Sequence, residues 1–71
     1  MDKKTTEFII YIINEIAAKF KKYPSDIYRV LDCTGCIRDY LTPCYDVLHT
    51  MSTDSIINDV IEFVEKRGAA I

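Results

Sequence analysis

Helix breakers are scarce in this sequence: it has two glycines and two prolines among 71 residues. That scarcity argues against a disordered or loop-dominated chain. There is no excess of positive charge either. Nine Lys and Arg stand against eleven Asp and Glu, for a net charge of −2, which disfavours sequence-independent nucleic-acid binding driven by Lys/Arg–phosphate contacts. The longest apolar run, Phe8 to Ile13, is six residues, whereas a membrane span needs about 20. The opening Met1-Asp2-Lys3-Lys4-Thr5 does not read as a secretory signal. Three cysteines, an odd number, fit a reducing compartment better than a disulfide framework. The expected location is the cytoplasm, without membrane association.

What the chain does have is apolar side chains. They make up 49% of the residues, with a mean hydropathy of +0.03. A chain of this length holds one domain and buries only about 60% of the surface that its unfolded form exposes. Small domains of this kind usually rely on a staple, a metal or a partner subunit. A surplus of apolar surface is most simply absorbed at an interface, with another protein or with a second copy.

The periodicity predicts an all-α fold, a compact bundle of four to five short helices, as a single domain over 1–71 with 1–4 and 69–71 as frayed ends. A first helix is expected over 5–22, with Ile9, Ile13, Ile16, Ala17 and Phe20 on one face and Thr5 or Thr6 as its cap. Phe8, Ile10 and Ile12 widen that face. A second helix should start at a Ser25 cap after Pro24, turn Ile27, Val30 and Leu31 inward, and stop at Gly35, which tolerates a left-handed backbone. Ile37, Tyr40, Leu41, Cys44, Val47 and Leu48 continue at helical spacing. Pro43 splits that segment into two short helices, with Thr42 as the cap of the second. Ser52 or Thr53 opens a last helix with Ile56, Ile57, Val60, Ile61 and Val64 inward, a Glu62–Lys66 pair, and a stop at Gly68.

Three constellations carry chemistry in principle. Cys33, Cys36, Cys44 and His49 make up a Cys₃His zinc set. The competing reading is three unrelated structural cysteines, because Cys44 falls on the inward stripe with Leu41 and Leu48, where a thiol acts as a small hydrophobe. This second reading is preferred, so no metal or cofactor is expected. A Cys33/Cys36 redox pair lacks the strand–helix setting such dithiols occupy. In Tyr45-Asp46-Val47-Leu48-His49-Thr50, Asp46 lies one turn before His49 and could orient the imidazole, but no nucleophile follows at this spacing. The preferred role for His49 is a structural hydrogen bond to a neighbouring helix end, with Asp46 as its local partner. No catalytic residues are expected. The third constellation, two helices joined at Gly35, has the look of a helix-turn-helix, but its second helix offers only Arg38 to a groove.

The YDVLHT stretch, Tyr45 to Thr50, resembles a family of short bacterial proteins, domain of unknown function 3791. Ile57-Asn58-Asp59-Val60, Lys66-Arg67-Gly68 and the Thr34-Gly35 turn extend the likeness. The three cysteines lie outside that pattern. The resemblance implies a small helical bacterial protein. Some relatives are encoded beside ADP-ribosyltransferase-like proteins, an arrangement similar to a toxin with its small neutraliser. Five tyrosines, at 11, 23, 28, 40 and 45, suit interface anchoring. The expectation is therefore a helical protein–protein interaction module, antitoxin-like or accessory to a larger enzyme. A zinc-stapled or DNA-binding regulator is the alternative. Tyr45, Asp46, Leu48, His49 and Thr50 are its candidate structural or interaction motif.

Overall fold

A computed structural model describes residues 2–71. The chain runs through α1 (Lys3–Phe20), α2 (Pro24–Cys33), a π-turn (Ile37–Leu41), the single-turn α3 (Tyr45–Leu48) and α4 (Thr53–Lys66). Among the described residues there is no strand, and the all-helical bundle expected from the periodicity is the fold observed. No helix among them is long and apolar enough to cross a membrane.

α1 starts two residues earlier than the sequence suggests. Asp2, not Thr5 or Thr6, is its cap, and Asp2 Oδ1 accepts the Thr5 N–H at 2.8 Å. Thr5 is buried instead. The helix buries Ile9, Ile12, Ile13, Ile16 and Ala17. Phe20, expected on the same stripe, sits on the last turn beyond the reach of the core and is exposed. α1 ends in a Schellman motif. The Lys21 and Lys22 N–H groups both return to the Ala17 carbonyl, and Lys21 takes the left-handed conformation at φ 55°.

α2 begins one residue before the expected cap. Pro24 occupies its first turn, where the missing N–H costs nothing, and Tyr23 precedes it without a side-chain cap bond. Ile27 and Leu31 face the core, with Val30 half-buried. Gly35, at φ +78°, then reverses the chain as its sequence position implies.

The next segment departs most from expectation. The Thr42 N–H reaches back five residues to the Ile37 carbonyl at 2.9 Å, the bond of a π-turn. This wider turn puts Cys36 and Leu41, five apart, in the core together and leaves Tyr40 at its edge. Pro43 has no N–H to continue the ladder, and the chain restarts as α3 in a new phase. Leu48 is therefore buried while Val47, expected inward, is 65% exposed. Thr42 does not cap α3. Cys44 holds that position, and the Thr42 hydroxyl is buried without a partner.

α4 matches its reading closely. The Ser52 side chain accepts the Ser55 N–H, Ile56, Ile57, Val60 and Val64 are buried, and Gly68 at φ +84° closes a second Schellman motif through Ala69 N–H to the Val64 carbonyl. At the two ends expected to fray, Lys3 and Lys4 are helical, and Ala69 and Ile71 pack half-buried against the core.

Candidate functional site

Each expected constellation occupies a definite place in the fold. Cys33, Cys36, Cys44 and His49 do not converge on a metal-sized point. Cys33 is exposed, Cys44 half-buried and Cys36 in the core. Among the described residues, no three His, Cys, Asp or Glu side chains gather in a way that could hold an ion. Burial pushes the Cys36 thiol up to about 12, with Arg67 only partly opposing it. Such a thiol stays protonated at neutral pH, which does not suit a redox nucleophile. The second helix of the supposed helix-turn-helix is the five-residue π-turn, and its Arg38 is tied to Asp39, with Nε to Oδ1 at 3.0 Å. It offers no groove-reading helix.

The Tyr45–Thr50 motif forms one compact cap over the amino-terminal end of α1. Leu48 plugs the core. Tyr45 meets Phe8 edge-on at 5.4 Å between ring centres and stacks on His49 at 4.8 Å. His49 Nδ1 lies 2.8 Å from the Tyr45 carbonyl, so Nδ1 carries a proton and donates it there. Thr50 donates to the Val47 carbonyl at 2.7 Å. His49 thus closes its own helix turn instead of a neighbouring helix end. Asp46 is exposed and makes no bond to it among the described residues, which corrects the expected carboxylate–imidazole pair. The motif is a structural knot and assembles no acid–base couple.

A second knot joins the π-turn to α4, and the sequence reading had not assembled it. Arg67 donates to the Thr34 carbonyl at 3.3 Å, approaches Asp39 Oδ2 at 3.5 Å, and lies over the Phe63 ring at 4.6 Å. Phe63 stacks on Tyr40, whose hydroxyl donates to Asp59 at 3.3 Å. Partial burial, followed by the nearby Asp59 carboxylate, pushes the Tyr40 hydroxyl up to about 12. The Arg38 guanidinium beside Asp39 holds that carboxyl below its ordinary value. Thr34-Gly35, Asp59 and Arg67, scattered along the chain, meet here. Their shared place in the family pattern was the signal that could have grouped them.

A family model described as "Protein of unknown function (DUF3791)" matches residues 7–67. The chain belongs to that family. The match spans both knots and runs from within α1 to just past the end of α4. No curated protein and no solved structure matches.

What both knots leave uncovered is apolar surface on α1 and α2. Ile10, Tyr11 and Tyr28 are 51%, 48% and 52% exposed. Thr6, Ile9, Ile10, Ile13, Tyr28 and Ile37 line a groove of about 200 Å³ between α1, α2 and the π-turn. No charged side chain lines it. The tyrosines therefore divide. Tyr40 and Tyr45 serve the knots and Tyr11 leans on Thr53 with its hydroxyl at 3.0 Å, while Tyr28 walls the groove. Tyr23 stands in the α1–α2 turn.

Proposed function

We propose that the chain is a protein-interaction module that docks through the uncharged groove of Ile10, Ile13, Tyr28 and Ile37. The groove is the observation that supports this reading. It combines an apolar floor with two half-exposed walls, Ile10 and Tyr28. Tyrosine at such a rim buries a large area while its hydroxyl stays wet, which is how interface anchors work. The chain has the apolar surplus expected of a protein whose surface is completed by another.

In its finer form the proposal is an antitoxin-like or accessory subunit that masks a larger enzyme, an ADP-ribosyltransferase-like protein. Support for that form comes from the family resemblance. The module itself would contribute binding and no chemistry, with no cofactor.

The test is capture of partners by tagged protein at native level in its own cells, read by mass spectrometry, with two variants alongside. Tyr28→Glu should lose a stoichiometric partner while the far-ultraviolet circular dichroism stays unchanged. Tyr23→Ala, in the turn, should keep it. A partner retained by Tyr28→Glu refutes the groove as the docking site, and a bait that never captures a partner refutes the accessory-subunit reading.

A further inference from the structure

Of the nine cationic side chains, five have a carboxylate within 4.0 Å: Lys3, Arg29, Arg38, Lys66 and Arg67. The other four are Lys4, Lys19, Lys21 and Lys22, which have no ion-pair partner among the described residues. Three of these four therefore crowd into one short stretch, the end of α1 and the turn into α2. Two aromatic rings stand among them. Phe20 is exposed, and Tyr23, at 76%, is the most exposed large apolar side chain among the described residues. The turn is also fixed in place, because the Lys21 and Lys22 N–H groups both bond the Ala17 carbonyl.

A concavity of about 350 Å³ adjoins these lysines. Burial sorts its lining. Ile27, Val30 and Ile71 are buried or half-buried and form an apolar floor, whereas Tyr23, Lys21 and Lys22 are exposed and form the rim. Asp26 also borders it, but its carboxylate is met by Arg29 at 3.8 Å. We infer that this site docks an acidic segment of a partner protein, with carboxylates on Lys21 and Lys22 and one apolar side chain between them in the concavity. The site shares no residue with the Ile10–Tyr28 groove, and the inference goes beyond the reading built on that groove.

Charge complementarity selects this occupant. The whole chain carries −2 despite these three lysines, so an acidic segment is attracted to this end and repelled by the rest of the surface. A bilayer fits less well. Three lysines fall short of the roughly four to eight of a lipid-headgroup cluster, and a concave face cannot lie flat on a membrane. Nucleic acid fits less well too, since phosphate-backbone binding draws on roughly six to ten cationic contacts. The volume is near the lower end of ligand-sized sites, about 300–1,000 Å³, and suits a side chain better than a whole cofactor. Exposed ion pairs are individually weak. The apolar side chain therefore supplies affinity while the lysines set the sign of the partner, and a fixed turn spares the cost of ordering it.

The test is fluorescence anisotropy of a labelled pentapeptide, one leucine flanked by two glutamates on each side, titrated with the full chain at low salt. Saturable binding is expected, weakening as salt is added. Lys21→Glu with Lys22→Glu should weaken it at least about tenfold, since two attractive pairs become repulsive. Lys21→Gln with Lys22→Gln removes the charges without reversing them, and should weaken it about threefold even if the reversed pair fails to fold. Glycine in place of the leucine of the peptide should cost about tenfold. Tyr28→Glu should bind the peptide as wild type does. No saturation at millimolar chain overturns the inference, as does binding indifferent to both lysine pairs or to the leucine. Lysine-dependent cosedimentation with phosphatidylglycerol vesicles, without peptide binding, also overturns it and puts a bilayer at the site. If the peptide fails while Tyr28→Glu still releases a captured partner, this inference falls and the groove reading stands. If the peptide binds through the lysines and no partner is ever captured, the groove reading falls and this inference stands.

Discussion

Thr42 offers a sharp test of how the π-turn is held together. Its hydroxyl is buried and has no hydrogen-bond partner. In an ordinary helix a threonine hydroxyl can bond back to the carbonyl three or four residues earlier. Here the Thr42 N–H is drawn to Ile37 instead, and the hydroxyl is left in the interior. A buried polar group without a partner costs about 1–3 kcal/mol. Valine has the same shape with a methyl in place of the hydroxyl. Thr42→Val should therefore stabilise the chain by about 1–2 kcal/mol. That is a large share of a total near 4–11 kcal/mol, the range for 71 residues at about 0.05–0.15 kcal/mol each. Each 1 kcal/mol should raise Tm by about 4–8 °C in a domain of this size. Urea melts at one fixed protein concentration, followed by circular dichroism, should show a higher midpoint at unchanged slope. Thr42→Ser is the control. It keeps the hydroxyl and discards the methyl, so it should lower the midpoint. A Thr42→Val midpoint at or below wild type would show that the hydroxyl is satisfied in solution and refute the reasoning.

Gly35→Ala should destabilise the chain by about 1–2 kcal/mol, because φ +78° is penalised for any residue with a Cβ. The new Cβ would also meet Asp39 Oδ2 at 2.9 Å, loosening the Arg38–Asp39 pair. A urea midpoint unchanged from wild type counts against this. Leu41→Ala, which empties a fully buried site, should cost about 2–5 kcal/mol and leave little folded protein at 37 °C, as thermal melts would show. Hydrogen bonds from Thr5, its backbone N–H first and then its side chain, hold the Asp2 carboxyl below its ordinary value. Its capping contribution is thus present above the unfolded value near 3.8 and is lost as pH falls through the lower folded one. Asp2→Ala should remove that acid-sensitive part from a pH series of melts, and an unaltered pH profile would oppose it. Cys36 runs the other way. Its folded value of about 12 lies above the ordinary thiol value of 9.0, so its contribution is full below pH 9 and disappears as pH rises towards 12. Alkylation mapped by mass spectrometry should label Cys33 first and Cys36 only on unfolding, and early labelling of Cys36 would contradict its burial.

How much of this could be read from the sequence depended on whether local rules alone decided the outcome. α4 was legible almost to the residue because cap, stripe and stop agree: Ser52 at the start, Ile56, Ile57, Val60 and Val64 inward, Gly68 at the end. Cap identity failed where two candidates competed. Asp2 outranked Thr5 because Thr5 was needed inside, and Pro24 at the first turn moved the start of α2 ahead of Ser25. The π-turn was invisible to a 3.6-residue period. That period groups Tyr40 with Cys36, whereas the structure groups Leu41 with it, and the one-residue slip then carried Val47 to the surface.

The two knots explain why the candidate site is not where the motifs are. YDVLHT drew attention because its residue types are those of catalysis. In the fold Leu48 is a core plug, Tyr45 and His49 stack, and Asp46 makes no bond to the imidazole it was expected to orient. Arg67 is likewise engaged by the Thr34 carbonyl, Asp39 and the Phe63 ring, and the Tyr40 hydroxyl by Asp59. A polar group already engaged by a neighbour must lose that bond before it can serve a ligand. Ile10, Asn14, Ala18 and Tyr28, which lie outside YDVLHT, are exposed and engaged in neither knot. α1 needs only its Ile9–Ile16 stripe for the core, yet its outward turns remain uncharged for eleven residues of the stripe's length, from Phe8 to Ala18, except for the half-buried Glu15. Fold stability does not demand that. The groove walled by Ile10 and Tyr28 is where the docking proposal puts that surface to use.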